Sequence, residues 1–378
     1  MSGIKLFFAG DFCSKPSTTN IAVEKELRNI ISNSDISVVN FEVPLKPPYS
    51  DNFPKENYER FYQNDDAPSF LKSIGFNLFA IANNHLFDWG NEGYIRTKEE
   101  LQDEAFGAGN YDEAYSVKVV DVNHKKIGFL AVTYNSRRGT FSDVLNHDGY
   151  GCAYIDDLKV NHIIHEKKKE LDYLFVLPHA GIEYIDAPIP ELIAKYRDFI
   201  DWGADAVIAS HPHCPQGWEE YQGKPIFYSL GNFFFNSKDT VDFVAKRPHW
   251  YESLCVLIEI NETLTYQIIN VRNVSNTQLV IDHSKEREIH NNYLSQILED
   301  KKLYHDYLKG MLSNIEIQIL PNFLIGCLPN NRVKQIKVLI RSLYYVLKGV
   351  NLTKYKNELK ISLNNIAKRE LIKRLLNN

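Results

Sequence analysis

The sequence predicts an α/β fold followed by a helical extension, and three observations lead to this prediction. Apolar strand-like runs alternate with helix-like segments through the first two hundred residues, a pattern typical of α/β proteins. Strand-like runs then follow one another directly after about residue 225, which indicates a mixed or second sheet. After about residue 280 the pattern changes to helices alone.

Composition describes a folded protein with an uneven charge. The chain has 378 residues, of which 44% are hydrophobic and 24% charged, which suits a globular protein of one large or two ordinary domains. Residues 301–378 hold 15 Lys and Arg against 4 Asp and Glu, whereas residues 1–300 hold 28 against 44. The sequence therefore predicts an acidic body with a basic tail. We expect no nucleic-acid partner.

The start of the chain and its cysteines favour a cytoplasmic protein. Residues 1–9 enter a strand-like run without the features of a signal peptide, and no apolar run is long enough to span a bilayer. The cysteines are scattered and odd in number, unlike a disulfide framework: Cys13, Cys152, Cys214, Cys255 and Cys327. A peripheral contact with a membrane remains an alternative that we do not favour.

The first half of the chain supplies most of the predicted alternation. Short apolar runs predict buried strands, and these runs are residues 4–9, 36–41, 77–82, 115–122 and 126–133. Helical spacing predicts helices at residues 21–33, 68–74 and 91–104. Gly10-Asp11 is expected to end the first strand, and Gly75 ends the second helix. Residues 46–66, rich in Pro, Asn and Asp, predict a long loop, and residues 134–155 are irregular.

The second half continues the same pattern. It predicts helices at residues 156–169 and 189–201, the latter ended by Gly203. Further strands are predicted at residues 173–177, 205–210, 225–229, 254–260 and 264–271. Residues 336–347 form an amphipathic basic segment with helical spacing.

Polar residues that can bind metals follow several of these strands. They are Asp11, Glu42, Asn84-His85, His179 and the pair His211/His213. Any one of them alone would be an ordinary cap or turn residue. Ligands bind at the carboxyl ends of strands in α/β sheets, so the five positions together favour a hydrolytic metal centre. Mixed nitrogen and oxygen ligands suit Mn, Fe, Zn or Co better than Ca or Mg.

Six motifs in order carry a family likeness. They are Gly10-Asp11, Asn-Phe-Glu at 40–42, Ala-Asn-Asn-His-Leu-Phe-Asp-Trp-Gly at 82–90, His-Ala-Gly-Ile-Glu-Tyr at 179–184, the run 203–213 ending in His-Pro-His, and Tyr-Ser-Leu-Gly-Asn-Phe at 228–233. The sequence resembles the CapA family of bacterial capsule and poly-γ-glutamate synthesis proteins. The likeness covers roughly residues 3–240 and extends through the strands to about 272. We therefore divide the chain into a CapA-like domain at 1–275 and a basic helical extension at 276–378.

The resemblance implies a fold, a cofactor and roles for residues. The family is similar to the calcineurin-like metallophosphoesterases, which implies a sandwich of two mixed β-sheets flanked by helices and one or two ions of Mn, Fe or Zn. By this likeness Asp11 and His213 would hold one metal, and Glu42 would bridge to a second. The ligands of that second metal would be Asn84, His179 and His211. His85 would be the catalytic proton donor, and Asp88 would orient it.

Two positions depart from the phosphoesterase pattern. Cys13 stands where that pattern has a histidine, and Glu42 stands where it has an aspartate. A single-metal centre and a centre without catalysis therefore stay open as alternatives.

Other polar residues have both a functional and a structural interpretation. Glu183, Tyr184 and Asn232 would support the centre or merely satisfy turns. Arg96 and the pair 137–138 (both Arg) would meet an anionic substrate or form a solvated surface.

The resulting hypothesis is a metal-dependent hydrolase of phosphoesterase type in capsule or surface-polymer synthesis. Its substrate would be a phosphate ester, or an amide-linked anionic polymer or its precursor. The alternative is a non-catalytic component that binds the polymer or a capsule synthase. The basic tail would pack on the acidic body, dock on a partner protein, or rest on an anionic membrane, and the first two are favoured because its apolar residues need burial.

Overall fold

The computed structural model describes residues 3–49, 60–134, 140–141, 149–236 and 241–314. Two mixed β-sheets face each other, with helices on their outer sides, which confirms the predicted α/β sandwich. The pair of arginines at 137–138, Cys327 and the amphipathic segment 336–347 lie outside the described residues.

The strands of the described part are numbered in chain order. They are β1 Ile4–Ser14, β2 Ala22–Val23, β3 Ile36–Phe41, β4 Leu78–Ala80, β5 Ala105–Phe106, β6 Ala108–Gly109, β7 Lys118–Val122, β8 Lys125–Thr133, β9 Thr140–Phe141, β10 Gly151–Ala153, β11 Tyr173–His179, β12 Ala206–Ile208, β13 Trp218–Tyr221, β14 Lys224–Phe227, β15 Asn232–Asn236, β16 Glu252–Ile260, β17 Leu264–Val274 and β18 Gln278–Ile281.

The α-helices are numbered in the same way. They are α1 Lys25–Ser32, α2 Ala67–Ser73, α3 Gly90–Leu101, α4 Tyr111–Ala114, α5 Leu158–Lys168, α6 Pro190–Asp201, α7 Val241–Ala245, α8 Lys285–Glu299 and α9 Lys301–Asn314.

The strands form two large sheets and one small one. The first sheet has the order β2-β18-β17-β16-β1-β3-β4-β5, with β15 also paired to β1. The second sheet has the order β13-β14-β12-β11-β8-β7, and a small sheet joins β6, β10 and β9. Parallel pairs at the centre of both large sheets bring their carboxyl ends to one end of the sandwich.

Strand β1 is shared by two different neighbours along one of its edges. Its first half pairs antiparallel with β16, and its second half, from Asp11, pairs parallel with β15. The prediction that Gly10-Asp11 ends this strand is therefore wrong, because β15, which was not predicted, supplies a partner beyond residue 10. The branch of the sheet lies at Gly10, where the partner of β1 changes from β16 to β15. A Cβ added at Gly10 would lie 1.9 Å from the Gly231 carbonyl oxygen, so the branch requires glycine there.

Aromatic side chains from both sheets fill the space between them. The ring of Phe8 on β1 lies 5.5 Å from that of Phe175 and 6.3 Å from that of Phe129, centroid to centroid. These three side chains are buried, and burial of each stabilises the fold by about 1.5–3 kcal/mol.

Several predicted boundaries shift for reasons of pairing and capping. The predicted helix at 21–33 begins only at Lys25, because residues 22–23 pair with β18. The predicted strand at 115–122 begins at Lys118, since Asn110 and Glu113 form a capping box that starts α4. Within the predicted loop 46–66, the described part ends in a turn before α2.

The described part of the C-terminal region packs on the sandwich. Strand β18 pairs with β17 and β2, and α8 contacts β13. Tyr304 and Leu308 of α9 are buried in the apolar cluster that covers the outer face of the second sheet. The division at residue 275 stays a prediction. Among the helices of these described ranges, none has the length and apolarity to cross a membrane.

Candidate metal centre

Side chains from both sheets meet at the carboxyl end of the sandwich. Asp11 lies in the second half of β1, Glu42 directly follows β3, and His179 ends β11. His211 and His213 lie on the loop after β12. All five side chains are buried, so the structure brings most of the predicted ligands into one enclosed cluster.

One group of predicted ligands surrounds a single nitrogen. His179 Nε2 lies 2.9 Å from Asn84 Oδ1, 3.1 Å from His211 Nδ1 and 3.8 Å from Glu42 Oε1. Ligands about 2.0–2.1 Å from a tetrahedral zinc ion are about 3.3–3.4 Å apart. The spacing of these atoms is therefore compatible with one shared cation.

A second group lies around the two carboxylates. His213 Nδ1 is 3.5 Å from Asp11 Oδ2, and His213 Nε2 is 3.8 Å from Glu42 Oε1. Ligand atoms of Asp11, Glu42 and His179 lie within 4.8 Å of one another. Glu42 thus stands between the two groups.

The protein itself does little to compensate a negative charge on Glu42. Among the described residues, neither of its carboxyl oxygens has a hydrogen-bond partner, although both are buried. Burial first, and then the negative charges of Asp11, Glu183 and Asp88, hold the pKa of Glu42 well above its ordinary value. A buried carboxylate without compensation is costly, so the residues present fit a divalent cation.

The histidines of the cluster favour their neutral form, which is the form that binds metals. Burial, followed by the positive charges of neighbouring histidines, lowers the pKa of both His179 and His211 well below the ordinary value. Burial likewise raises the pKa of Asp11, against the opposing effect of His213 and of hydrogen bonds from Asn40.

An unusual backbone turns the two loop histidines towards the cluster. His211 has φ of 105° and His213 has φ of 57°, a region that residues other than glycine adopt infrequently. With one residue between them, both rings can face one centre only if the backbone turns here. The two rings lie 6.1 Å apart between centroids.

Polar neighbours hold the ligands in place. Asn232 Oδ1 accepts a hydrogen bond from His213 Nδ1 at 2.9 Å, while its amide nitrogen donates to the Trp250 carbonyl. This contact orients the imidazole and leaves Nε2 available as the ligand atom. Asn232 was a candidate from sequence, and the structure puts it against His213.

Sequence reasoning missed two other neighbours. Asn40 Nδ2 donates to Asp11 Oδ1 at 2.7 Å and lies 3.1 Å from His179 Nδ1, and Ser210 Oγ lies 3.1 Å from the same nitrogen. The signal for Asn40 was its position two residues before Glu42, since alternate residues of a strand share a face.

His85 lies beside the cluster as one half of a pair. Its Nδ1 is 3.0 Å from Asp88 Oδ2, and the same oxygen accepts a hydrogen bond from the backbone amide of Phe61. The Phe61 ring also contacts the imidazole, at 4.8 Å between centroids. Electrostatic repulsion from His85 is among the minor causes that lower the pKa of His179 and His211.

The remaining candidate residues from the sequence lie at the border of the cluster or away from it. Cys13 is buried in an apolar cluster with Val43, Phe235 and Trp250. Among the described residues, the groups that could bind a metal do not include it. Tyr184 stacks on His213 at 5.9 Å between ring centroids, and Glu183 acts on Glu42 through its charge. Arg96 instead donates to the Lys46 carbonyl and pairs with Asp65.

Comparison with known proteins places this cluster within a family. The family model for the bacterial capsule synthesis protein PGA_cap matches residues 5–237. The chain belongs to the PGA_cap family. Every predicted metal ligand lies inside the matched region, whereas Trp250, α8 and α9 lie beyond it.

Two relatives of the chain from Bacillus are named CapA. The chain is 33% identical over 213 residues to the PGA biosynthesis protein CapA of Bacillus subtilis, covering 55% of either protein. It is 30% identical over 218 residues to the capsule biosynthesis protein CapA of Bacillus anthracis, covering 54% of this chain and 52% of that protein. The chain thus spans about half the length of these relatives.

Among solved structures, the chain is similar to one described as a novel phosphatase from Mycoplasma pneumoniae. The TM-score is 0.43 and the identity 13%, over 78% of this chain and 99% of that one.

Proposed function

We propose that this PGA_cap protein is a metal-dependent hydrolase of phosphoesterase type that acts in capsule or surface-polymer synthesis. Its substrate would be a phosphate ester, or an amide-linked anionic polymer or its precursor. The observation that carries the proposal is the buried, unpartnered carboxyl group of Glu42 among Asp11 and the three histidines, with the His85–Asp88 pair beside them.

The chain's own residues would hold up to two divalent cations. Asp11 and His213 would bind one, and Asn84, His179 and His211 the other, with Glu42 between them. Bound cations of Mn, Fe or Zn supply Lewis acidity towards a phosphoryl or carbonyl oxygen. Asn40 and Asn232 would keep Asp11 and His213 in the orientations that binding requires.

His85 would transfer a proton to the leaving group. The Asp88 carboxylate can only accept a hydrogen bond, so it keeps a proton on His85 Nδ1 and stabilises the imidazolium. The proton for the leaving group would then come from Nε2. In this role Asp88 is a positioning residue, because it acts through His85.

A basic rim next to His85 supports an anionic substrate. We define the basic rim as Lys15, Lys46 and Arg60, which lie over the rings of Tyr62 and Trp89 at 5.2–5.6 Å from the ring centroids. Trp89 follows Asp88 directly and donates its indole N–H to the Phe61 carbonyl. Cations held on aromatic faces beside a proton donor would attract phosphate or carboxylate groups.

A second candidate function is a non-catalytic component that binds the polymer or a synthase partner. It is favoured by the position of Cys13, which packs among apolar side chains where the phosphoesterase pattern has a histidine. Such a protein would keep the fold and the basic rim without turnover.

The first experiment measures metal content by mass spectrometry and then hydrolysis of phosphomonoesters, phosphodiesters and γ-glutamyl amides. We expect the residues of this centre to account for one to two equivalents of Mn, Fe or Zn, and we expect turnover of one of these classes. Protein that takes up metal without hydrolysing any of them would support the binding component. Protein that contains no metal and takes up none would overturn the hydrolase.

The variant His85→Ala distinguishes a proton-donor role of His85 from a role as a metal ligand. It should lower kcat by about 10²–10⁴-fold with metal content unchanged, whereas a loss of metal would make His85 a ligand. His165→Ala, at an exposed position on α5, is the matched control and should change neither quantity.

Lys46→Ala, in the basic rim, should raise KM and leave kcat near the wild-type value.

A further inference from the structure

We propose that the chain carries a second metal site, formed by Asp186, His249 and His290, which is independent of the proposed hydrolytic centre. Oδ2 of Asp186 lies 3.8 Å from His249 Nε2 and 3.6 Å from His290 Nε2. The three ligand atoms lie within 4.8 Å of one another. The residues come from the loop after β11, the turn before β16 and helix α8 respectively.

The polar atoms in this group are buried but incompletely paired. Asp186 is 3% exposed, and its Oδ1 has no hydrogen-bond partner among the described residues. His290 Nε2 is also buried without a hydrogen bond in that part of the chain. A separation of 3.6 Å between nitrogen and oxygen is too long for a hydrogen bond, yet close to the spacing of two ligands on one ion.

A neighbouring carboxylate prepares His249 to be a ligand. Glu252 Oε2 lies 2.6 Å from His249 Nδ1 and also accepts from Arg287, whose Nη1 lies farther from that nitrogen, at 3.2 Å. A carboxylate at one ring nitrogen fixes the tautomer and leaves the other nitrogen to bind a metal. That other nitrogen is Nε2, the atom that faces Asp186.

The two imidazoles are arranged side by side at the edge of the molecule. Their rings stack at 4.6 Å between centroids, with 20° between the planes. The two side chains are 25% and 28% exposed, so an ion can enter from solvent. Two imidazoles and one carboxylate suit a borderline divalent ion, and Zn²⁺ with one remaining position for water fits best.

An ion here would join the C-terminal helices to the sandwich. His290 belongs to α8, and Tyr307 of α9 donates a hydrogen bond to Asp186 Oδ2 at 2.9 Å. Asp186 and His249 belong to loops of the sandwich itself. The site therefore sits where the two parts of the described chain meet, and its role would be to stabilise that contact.

The test is zinc stoichiometry by equilibrium dialysis and mass spectrometry on the full chain. His290→Asn should bind one equivalent fewer than wild type, and zinc should raise its unfolding temperature less. His305→Asn, an exposed histidine on α9, should bind the wild-type amount. Equal stoichiometry for these two variants would overturn the proposal and identify the group as an ion-pair cluster.

Two further variants keep the result interpretable. His290→Lys puts a permanent positive charge next to Asp186 in place of the ion, so it should lose the equivalent even if His290→Asn is unstable. Glu42→Gln weakens only the proposed hydrolytic centre and should retain the equivalent that His290→Asn loses. If the protein bound one equivalent that Glu42→Gln lost and His290→Lys kept, the second site would fail while the hydrolytic centre stood.

Discussion

At the scale of single residues, the cluster is arranged around charge that the protein alone does not balance. Two buried carboxyl groups with raised pKa values face histidines with lowered pKa values. Each group by itself resists ionisation, since burial is the largest cause of every one of these shifts. The arrangement becomes favourable when cations neutralise the carboxylates and accept the imidazole lone pairs.

The variant Glu42→Gln should have opposite effects with and without metal. Because the folded state raises the pKa of Glu42 above its ordinary 4.5, this group favours folding at low pH, and that contribution is lost as pH rises. Metal-free Glu42→Gln should therefore become more stable than metal-free wild type as pH increases above about 4.5. Chemical denaturation across a pH series in chelator measures this difference.

With Mn²⁺ or Zn²⁺ present the order should reverse. Loss of the bridging carboxylate should weaken binding at the proposed centre at least about 10-fold, so wild type should gain more stability from added metal than the variant does. If Glu42→Gln bound both metals as tightly as wild type, Glu42 would not be a ligand.

The site residues that sequence reasoning found are those whose chemistry is visible locally. Asp11 follows the apolar run 4–9 within β1, Glu42 follows β3 and His179 ends β11. Such positions converge in parallel sheets. The contact of Arg96 with Asp65 was not visible, because it depends on how the segment before α2 folds back on α3. The pairing of His249 with His290 joins distant parts of the chain and lacks any local pattern.

At the scale of secondary-structure elements, long buried strands were predicted well and short ones were not. Strand β3 has the predicted bounds of 36–41, since its residues are all buried and four of the six are apolar. Strands β2, β5 and β6 contain two residues each, and they exist only because a partner strand lies beside them. Strand β1 is longer than predicted for the same reason.

The branch at Gly10 should be the most sensitive point of this sheet. Gly10→Ala would force Cβ against the Gly231 carbonyl oxygen. Because the backbone must move to relieve this contact, the free energy of unfolding should fall by about 3 kcal/mol or more. Asp11 is the next residue, so metal uptake should fall as well. Urea denaturation and metal analysis measure the two effects.

The matched control is Gly310→Ala on α9. Apart from its own helix turn, a Cβ added at Gly310 meets no atom of the described residues within 4 Å. Alanine in a helix is favoured over glycine by about 1 kcal/mol. This variant should be equal to wild type or slightly more stable. Similar losses from both substitutions would mean that crowding at the branch is not the cause.

At the scale of the whole molecule, the first two strands and the last strand of the described residues belong to one sheet. Strand β2 pairs with β18 through Ala22 and Gln278, and Glu24 accepts a hydrogen bond from the Ile281 amide. The sequence placed a domain boundary at 275 because the family likeness ends near there. Pairing between such distant segments has no signature in either segment alone.

Truncation tests whether residues 276–314 are an extension or part of the fold. A chain ending at 275 lacks β18, α8 and α9, which exposes β17 and the apolar surface under Leu294 and Leu308. We expect it to unfold at a lower denaturant concentration than a chain ending at 314, or to aggregate. Equal stability of the two chains, measured by circular dichroism, would support an independent domain at 1–275.

The two neighbours of β1 also determine when the site can exist during protein synthesis. Asp11 is synthesised more than two hundred residues before β15 and β16, which complete the edge of its strand. At about 5–20 residues per second this delay is roughly 10–50 s. Throughout that interval β1 lacks both partners on this edge, so we expect Asp11 to reach its place in the cluster only once translation has passed residue 260.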